Sequence, residues 1–299
     1  MRIYLDGCFD LAHYGHFNAM RQAKALGSHL VVGVVADESV AFYKVTPVMT
    51  LEERCEMVRS MKWVDDVIPG VSHVLDWAFT AELRREHGIA LVVHGDDEST
   101  MPDGSDPYDA PKKEGMFWVI PRTDGISTTD LVAALLAGTS LAPCPTPLRL
   151  PPWEPVTDAV YVDGAFDCLH PGHIAFLKEA RKFGKHLVVG VHADDVVKDR
   201  RGVPTVLSVQ DRARALSHCK YIDGVLPGSP PSVTMSFLKA IGACCVARGA
   251  VHETCVPDRE RYKGVATRLV YVLSPSTMTL ATLKKRIEDQ RESYLQKVQ

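Results

Sequence analysis

At 299 residues, with 46% hydrophobic and 24% charged side chains, the chain has the make-up of a globular protein of two domains, which excludes a disordered or fibrous design. A formal net charge of −3 gives no general attraction to nucleic acid or to an anionic membrane, so any phosphate recognition has to be local. The eight cysteines include no C-x-x-C pair and lie mostly in apolar runs such as Ala243-Cys244-Cys245-Val246, which reads as reduced core thiols. Met1-Arg2 leads straight into an apolar strand without a signal-peptide pattern, and no stretch approaches the ~20 apolar residues of a membrane span, so a cytoplasmic location is expected.

In chain order, β-rich apolar runs at 2–6, 29–35, 89–94 and 116–121 alternate with helical patterns at 15–26, 51–61, 74–87 and 128–137. Such alternation implies a Rossmann-like α/β fold, a mostly parallel sheet with helices on both faces and ligands at the carboxyl ends of the strands. The pattern then starts again. Residues 3–38 align without a gap on residues 160–195, with 18 of 36 positions identical. Between the copies, residues 141–156 hold six prolines and cannot form regular helix or central strand. The expected organisation is a first domain at 1–140, a proline-rich linker at 141–157 and a second, degenerate domain at 158–299.

After the first strand and Gly7-Cys8-Phe9-Asp10 comes His13-Tyr14-Gly15-His16, just as a helix begins. Histidines three apart at a helix start share one face, beside unpaired backbone N–H groups and the positive end of the dipole. Gly15 lets a phosphate approach the backbone with no Cβ in the way. Two histidines can also merely cap a helix. Recurrence of the pattern as His170-Pro171-Gly172-His173 favours phosphate chemistry, although duplication copies a structural motif equally well. No third Cys, His or carboxylate stands nearby to complete a zinc site, so no resident metal is expected.

A second constellation, residues 122–131 (RTDGISTTDL), follows an apolar strand and precedes a helix. A basic fork at Arg122, a glycine at Gly125 and hydroxyls at Ser127 and Thr128 are what a triphosphate tail needs: charge, close approach and O–H plus N–H donors. The alternative is an ordinary Ser/Thr N-cap with Asp130 completing it.

Residues 4–16 and 122–131 resemble the two signatures of the cytidylyltransferase family, within the wider nucleotidyltransferases that carry H-x-G-H. The tandem arrangement is similar to that of the members acting on phosphoethanolamine, as are Tyr14 between the histidines, the Lys62-Trp63-Val64-Asp65 run and His94-Gly95-Asp96-Asp97. This resemblance covers nearly the whole chain. It implies transfer of the cytidylyl group of CTP to phosphoethanolamine for phospholipid synthesis, by displacement at the α-phosphorus with loss of pyrophosphate.

It further implies that His13 and His16 hold the CTP phosphates, that Lys44 reaches the α-phosphate, and that Arg122 with Gly125, Ile126, Ser127 and Thr128 grips the departing phosphates. Gly7, Cys8 and Phe9 would lie under the nucleotide, and His94 and Asp96 beside the cytidine or the amine. For Lys44 a solvated loop lysine is the alternative, and Arg54 and Trp63 read equally well as packing residues. A Mg²⁺ ion accompanying CTP is expected from triphosphate chemistry, without a dedicated protein cage.

The second copy keeps its histidines, but its counterpart of the second motif, residues 273–282 (LSPSTMTLAT), has lost both the arginine and the glycine, and Arg248-Gly249-Ala250 replaces His94-Gly95-Asp96. A forked charged donor is not replaced by hydroxyls, so the second domain is expected to be catalytically silent. If it binds nucleotide, Ala165, Phe166, His170 and His173 mark the place. The last helical stretch, 279–299, is expected to pack on its own domain, with Leu283, Ile287 and Leu295 as a partial stripe. The rival readings are the same reaction on phosphocholine and a non-catalytic CTP-binding regulator. No nucleic-acid partner is indicated, and association into a homodimer is open.

Overall fold

The structure is a computed structural model that describes all residues except 44, 98–99, 231, 251–258 and 299. Five strands, β1 (Arg2–Gly7), β2 (His29–Val35), β3 (Asp66–Val71), β4 (Ile89–Gly95) and β5 (Phe117–Ile120), form a sheet in the order β3-β2-β1-β4-β5, every pair parallel. Five more, β6 (Ala159–Gly164), β7 (His186–Val191), β8 (Gly224–Pro227), β9 (Ala243–Ala250) and β10 (Leu269–Leu273), repeat that order as β8-β7-β6-β9-β10, again all parallel. The near-continuous apolar runs of β2 and β7 belong to strands covered on both faces. In each sheet the chain winds outward from its first strand and then returns beside it. The switch point therefore lies between β1 and β4, and between β6 and β9, where ligands of such sheets bind.

The interior of the first sheet is built on Tyr4, Val31, Leu75, Leu83, Ile89, Val92, Tyr108 and Met116. Ala159, Tyr161, Val188, Leu238 and Val246 take the corresponding place in the second. Each sheet contains one glycine that its tyrosine demands: a Cβ on Gly33 would lie 2.1 Å from the Tyr4 hydroxyl, and one on Gly190 2.1 Å from that of Tyr161. The sequence pattern missed β3, which carries Pro69 and is largely solvated. It is an edge strand, where a missing N–H costs little.

The compact units are Met1–Thr129 together with Arg286–Gln299, and Asp130–Lys285. In each copy the chain that follows the second motif is thus counted with the sheet of the other copy. This differs from the expectation that residues 279–299 pack on their own domain. The stretch forms two helices, Leu280–Asp289 and Arg291–Val298, and from Arg286 on it belongs to the first unit because an ion pair and a tyrosine hydroxyl tie it there. Residues 141–157 contain no helix or strand. Among the described residues no helix is long and apolar enough to cross a membrane.

Candidate active site

The helix Tyr14–Ala25 begins directly after β1 and a tight loop, with His13 as its N-cap. Its imidazole Nδ1 accepts the Gly15 N–H at 3.2 Å, and His16 Nδ1 accepts the His13 N–H at 3.3 Å. With both Nδ1 atoms accepting, each neutral ring carries its proton on Nε2 and offers it as a donor. The two rings stack with centroids 3.9 Å apart. Burial, then the neighbouring His16 and Arg122, push the His13 imidazolium well below the usual histidine range, so the ring is neutral at physiological pH. Phe9 stands edge-on to His16 with centroids 5.5 Å apart, and its ring covers Gly7. Its contact is with the histidine, as a buried wedge.

The loop that carries this motif is held in an unusual shape by groups outside it. Phe9 and Leu11 have φ of 54° and 43°, in the left-handed region where bulky residues are strained. The buried carboxylate between them, Asp10, accepts the N–H groups of Leu11, Val48 and Met49 at 3.0, 2.8 and 2.9 Å. Behind it Arg54, wholly inaccessible to solvent, donates to the carbonyls of Cys8 at 2.6 Å and Val35 at 2.8 Å and pairs with Asp37. Arg54 is thus no surface residue but a buried strut between β1 and β2.

Helix Tyr14–Ala25 also gathers the second motif. Tyr14 Oη donates to the Gly125 carbonyl at 3.3 Å, Asn18 Nδ2 to Thr123 Oγ1 at 2.8 Å and Gln22 Nε2 to the Pro121 carbonyl at 3.0 Å. Thr128 Oγ1 donates to the Asp10 carbonyl at 3.1 Å, and Gly125 turns at φ 82°, open to glycine alone without strain. Ile126 is buried, with its Cγ2 3.2 Å from where a Cβ on Gly15 would stand, while the Arg122 side chain is 53% exposed. Asp96 accepts the Arg122 N–H at 2.9 Å, so its carboxylate anchors the start of the second motif. His13, His16, Arg122, Gly125, Thr128 and Asp96 are therefore brought together. Lys44 lies outside the described residues.

At the end of β4 opens a cleft of ≈ 470 Å³ lined among others by His94, Asp96, Asp97, Tyr108, Lys112 and Phe117. His94 and Tyr108 pack with ring centroids 4.5 Å apart, and Tyr108 and Phe117 at 5.2 Å. Tyr108 Oη donates to Asp6 Oδ1 at 3.0 Å, while Asp6 Oδ2 is buried and has no hydrogen-bond partner. Burial, only partly offset by the tyrosine, raises the Asp6 carboxyl to about 7. Sequence reasoning passed over Asp6, Asp10 and Tyr108. An acidic residue ending an apolar strand was the one available signal for Asp6.

The second copy repeats the scaffold with different groups around the site. Phe166 and Cys168 have φ of 51° and 46°, Asp167 accepts the N–H groups of Val206 and Leu207 at 2.8 and 3.0 Å, and buried Arg212 donates to the carbonyls of Ala165 and His192. His170 and His173 stack at 3.7 Å, and burial pushes His170 down to about 4. However, the Met278 carbonyl oxygen lies 2.0 Å from where a Cβ on Gly172 would stand, so the chain's own backbone presses on the motif glycine. Asp163, the counterpart of Asp6, is occupied by Arg261 and by the Tyr262 hydroxyl, and Arg248 donates to that hydroxyl at 3.0 Å. Burial works to raise the Asp163 carboxyl, but His192, Arg261 and the Tyr262 hydroxyl together hold it below the usual carboxylate range.

The family model described as cytidylyltransferase-like matches residues 4–134 and again residues 161–286. Over 98% of its length the chain is 35% identical to the ethanolamine-phosphate cytidylyltransferase of Arabidopsis thaliana, of which the match covers 82%. To the ethanolamine-phosphate cytidylyltransferase of Dictyostelium discoideum it is 34% identical, over 98% of this chain and 92% of that one. A probable choline-phosphate cytidylyltransferase of Schizosaccharomyces pombe is 38% identical but matches only 46% of this chain and 37% of its own.

Proposed function

The chain belongs to the cytidylyltransferase-like family, and from that premise we infer that its first unit transfers the cytidylyl group of CTP to phosphoethanolamine, giving CDP-ethanolamine and pyrophosphate. The observation that carries this reading is the full-length likeness to ethanolamine-phosphate enzymes through both copies. A phosphate oxygen of the acceptor forms a bond to the α-phosphorus while the bond to the bridging oxygen breaks, and that oxygen leaves with the electron pair as pyrophosphate. Such a displacement asks the protein for alignment and charge stabilisation rather than covalent help.

Neutral His13, with His16 stacked on it, supplies Nε2–H donors to the triphosphate at a helix N-terminus. The exposed guanidinium of Arg122 and the turn through Gly125, Ile126, Ser127 and Thr128 take the departing phosphates. Lys44 is assigned to the α-phosphate on its place after β2. Among the described residues no group of three His, Cys, Asp or Glu could hold a metal ion, so Mg²⁺ would enter on the nucleotide and neutralise phosphate charge there. Seven described cysteines are free thiols, which supports a cytoplasmic setting.

Asp6 is the ammonium partner in this reading, standing behind Tyr108, which lines the cleft and donates to it. A primary ammonium brings three donors to a buried carboxylate with one oxygen unpartnered. Asp6→Asn should raise KM for phosphoethanolamine about 10–100-fold and leave KM for CTP nearly unchanged, as expected for loss of a charge-assisted bond. The pH sign follows from the raised carboxyl. Below about 7 the native site holds a neutral acid, so KM for the acceptor should fall as pH rises through about 7. The step should vanish in Asp6→Asn, which separates it from titration of the acceptor phosphate.

The direct test is pyrophosphate release from CTP and Mg²⁺ with phosphoethanolamine or phosphocholine. Faster release with phosphoethanolamine supports the assignment, whereas preference for phosphocholine, or CTP binding with no release, overturns it.

A further inference from the structure

From Arg286 onward the end of the chain is counted with the first unit, and two of its side chains close on the loop before the helix Leu51–Arg59. Arg286 sets its guanidinium on the Glu53 carboxylate, Nη1 at 2.6 Å and Nη2 at 2.9 Å, and Nη1 also donates to the Val48 carbonyl at 3.1 Å. Tyr294 Oη donates to the Thr46 carbonyl at 3.0 Å. Glu53 is no ordinary surface acid. It closes the capping box that starts this helix, accepting the Thr50 N–H at 2.9 Å. Burial works to raise its carboxyl, but the bonds from Arg286 and Thr50 hold it below the usual range.

These contacts join the loop to the nucleotide motif. The Val48 N–H is bound by Asp10, whose carbonyl in turn accepts Thr128 of the second motif. One residue of the loop is thus gripped on its carbonyl by Arg286 and on its N–H by Asp10. The second copy holds its counterpart loop differently: Ser140 Oγ donates to the Thr205 carbonyl at 2.6 Å and the Leu141 N–H to the Val206 carbonyl at 2.8 Å. The ties there are a hydroxyl and backbone N–H groups, that of Cys144 reaching Asp211, the counterpart of Glu53, at 3.1 Å. Among the described residues the guanidinium fork is on the first unit's loop.

We propose that Arg286, assisted by Tyr294, is a positioning residue for CTP binding: it clamps residues 46–50 onto Asp10 and so sets the loop that closes the nucleotide site of the first unit. The proposal rests on the cytidylyltransferase reading and deepens it. It also gives the degenerate copy a function, because the segment following its eroded second motif delivers the clamp.

The test uses the full chain. Arg286→Ala should raise KM for CTP about tenfold, the loss of one charge-assisted contact, while KM for phosphoethanolamine and kcat stay within about twofold. Arg286→Lys should recover only part of this, since an ammonium cannot span Glu53 and Val48 as a planar fork does. Glu53→Gln keeps the capping box and should reproduce the Arg286→Ala effect, and the double variant should be no worse than either single one. Glu53→Gln keeps the question open to an answer should Arg286→Ala fold poorly. An unchanged KM for CTP in folded Arg286→Ala and in Glu53→Gln, or an equal loss of kcat toward both substrates tracking the folded fraction, overturns the proposal. Should the unaltered chain release no pyrophosphate, the functional reading fails instead, and the Arg286→Ala shift is then read on the Kd for CTP by calorimetry.

Discussion

His16→Ala is expected to lower kcat for pyrophosphate release by about 10²–10³-fold, the usual loss when one aligned donor to a charged transition state is removed. His13→Ala should do the same with an added cost in order, since its Nδ1 also caps the Gly15 N–H. The contrasting variant is His173→Ala. In the second copy the Met278 carbonyl presses on the motif glycine and Arg261 neutralises Asp163, so pyrophosphate release should stay within about twofold of the parent, the expectation for a site outside the chemistry. Steady-state kinetics on the three variants decide the matter. Comparable losses in His16→Ala and His173→Ala would mean that both copies turn over.

Arg54→Ala should destabilise the first unit by roughly 2–5 kcal/mol, since two carbonyls inside the fold lose their donor at about 1–3 kcal/mol each. The side chain has no exposure, and its removal strips the Cys8 and Val35 carbonyls of their guanidinium donor and leaves Asp37 with only the Leu51 N–H. Against a total stability of about 5–15 kcal/mol that is enough to populate the unfolded unit. Urea unfolding should then separate into two transitions, the earlier one displaced. Arg54→Lys should rescue little, because a single ammonium cannot reach two carbonyls and a carboxylate at the angles a planar guanidinium does. An unshifted, single transition in Arg54→Ala would show that the strut is dispensable.

The parts of this protein that could be read from the chain are those whose physics is local. The apolar run of β2 lies between Gly/Ser and acidic flanks, His13 and His16 stand one helical turn apart at a strand's end, and a second copy repeats both. Each of these is a pattern within a dozen residues, set by side-chain period, by helix caps or by the turn that glycine permits. The parallel pairing of the strands follows from the same alternation with right-handed crossovers, whereas their order is set by the folded sheet. The edge strand β3 was missed because a solvated strand with a proline has no apolar period to announce it.

Tertiary structure decided the rest, because it depends on which distant groups share a space that water cannot enter. Asp6 looks like an ordinary aspartate until Tyr108, 102 residues away, is set against it and the sheet closes around both; burial then makes it an acid near neutrality. Arg54 sits on a polar-looking helix, and only the fold turns it inward onto two carbonyls. Arg286 meets Glu53 across 233 residues, an interaction with no periodic trace in the chain. Sequence by itself determined the architecture, the duplication and the two motifs; folding alone decided which carboxylate is desolvated, which arginine is a strut and that the last helices tie to the loop at 46–50, since desolvation and long-range pairing exist only once the layers are packed.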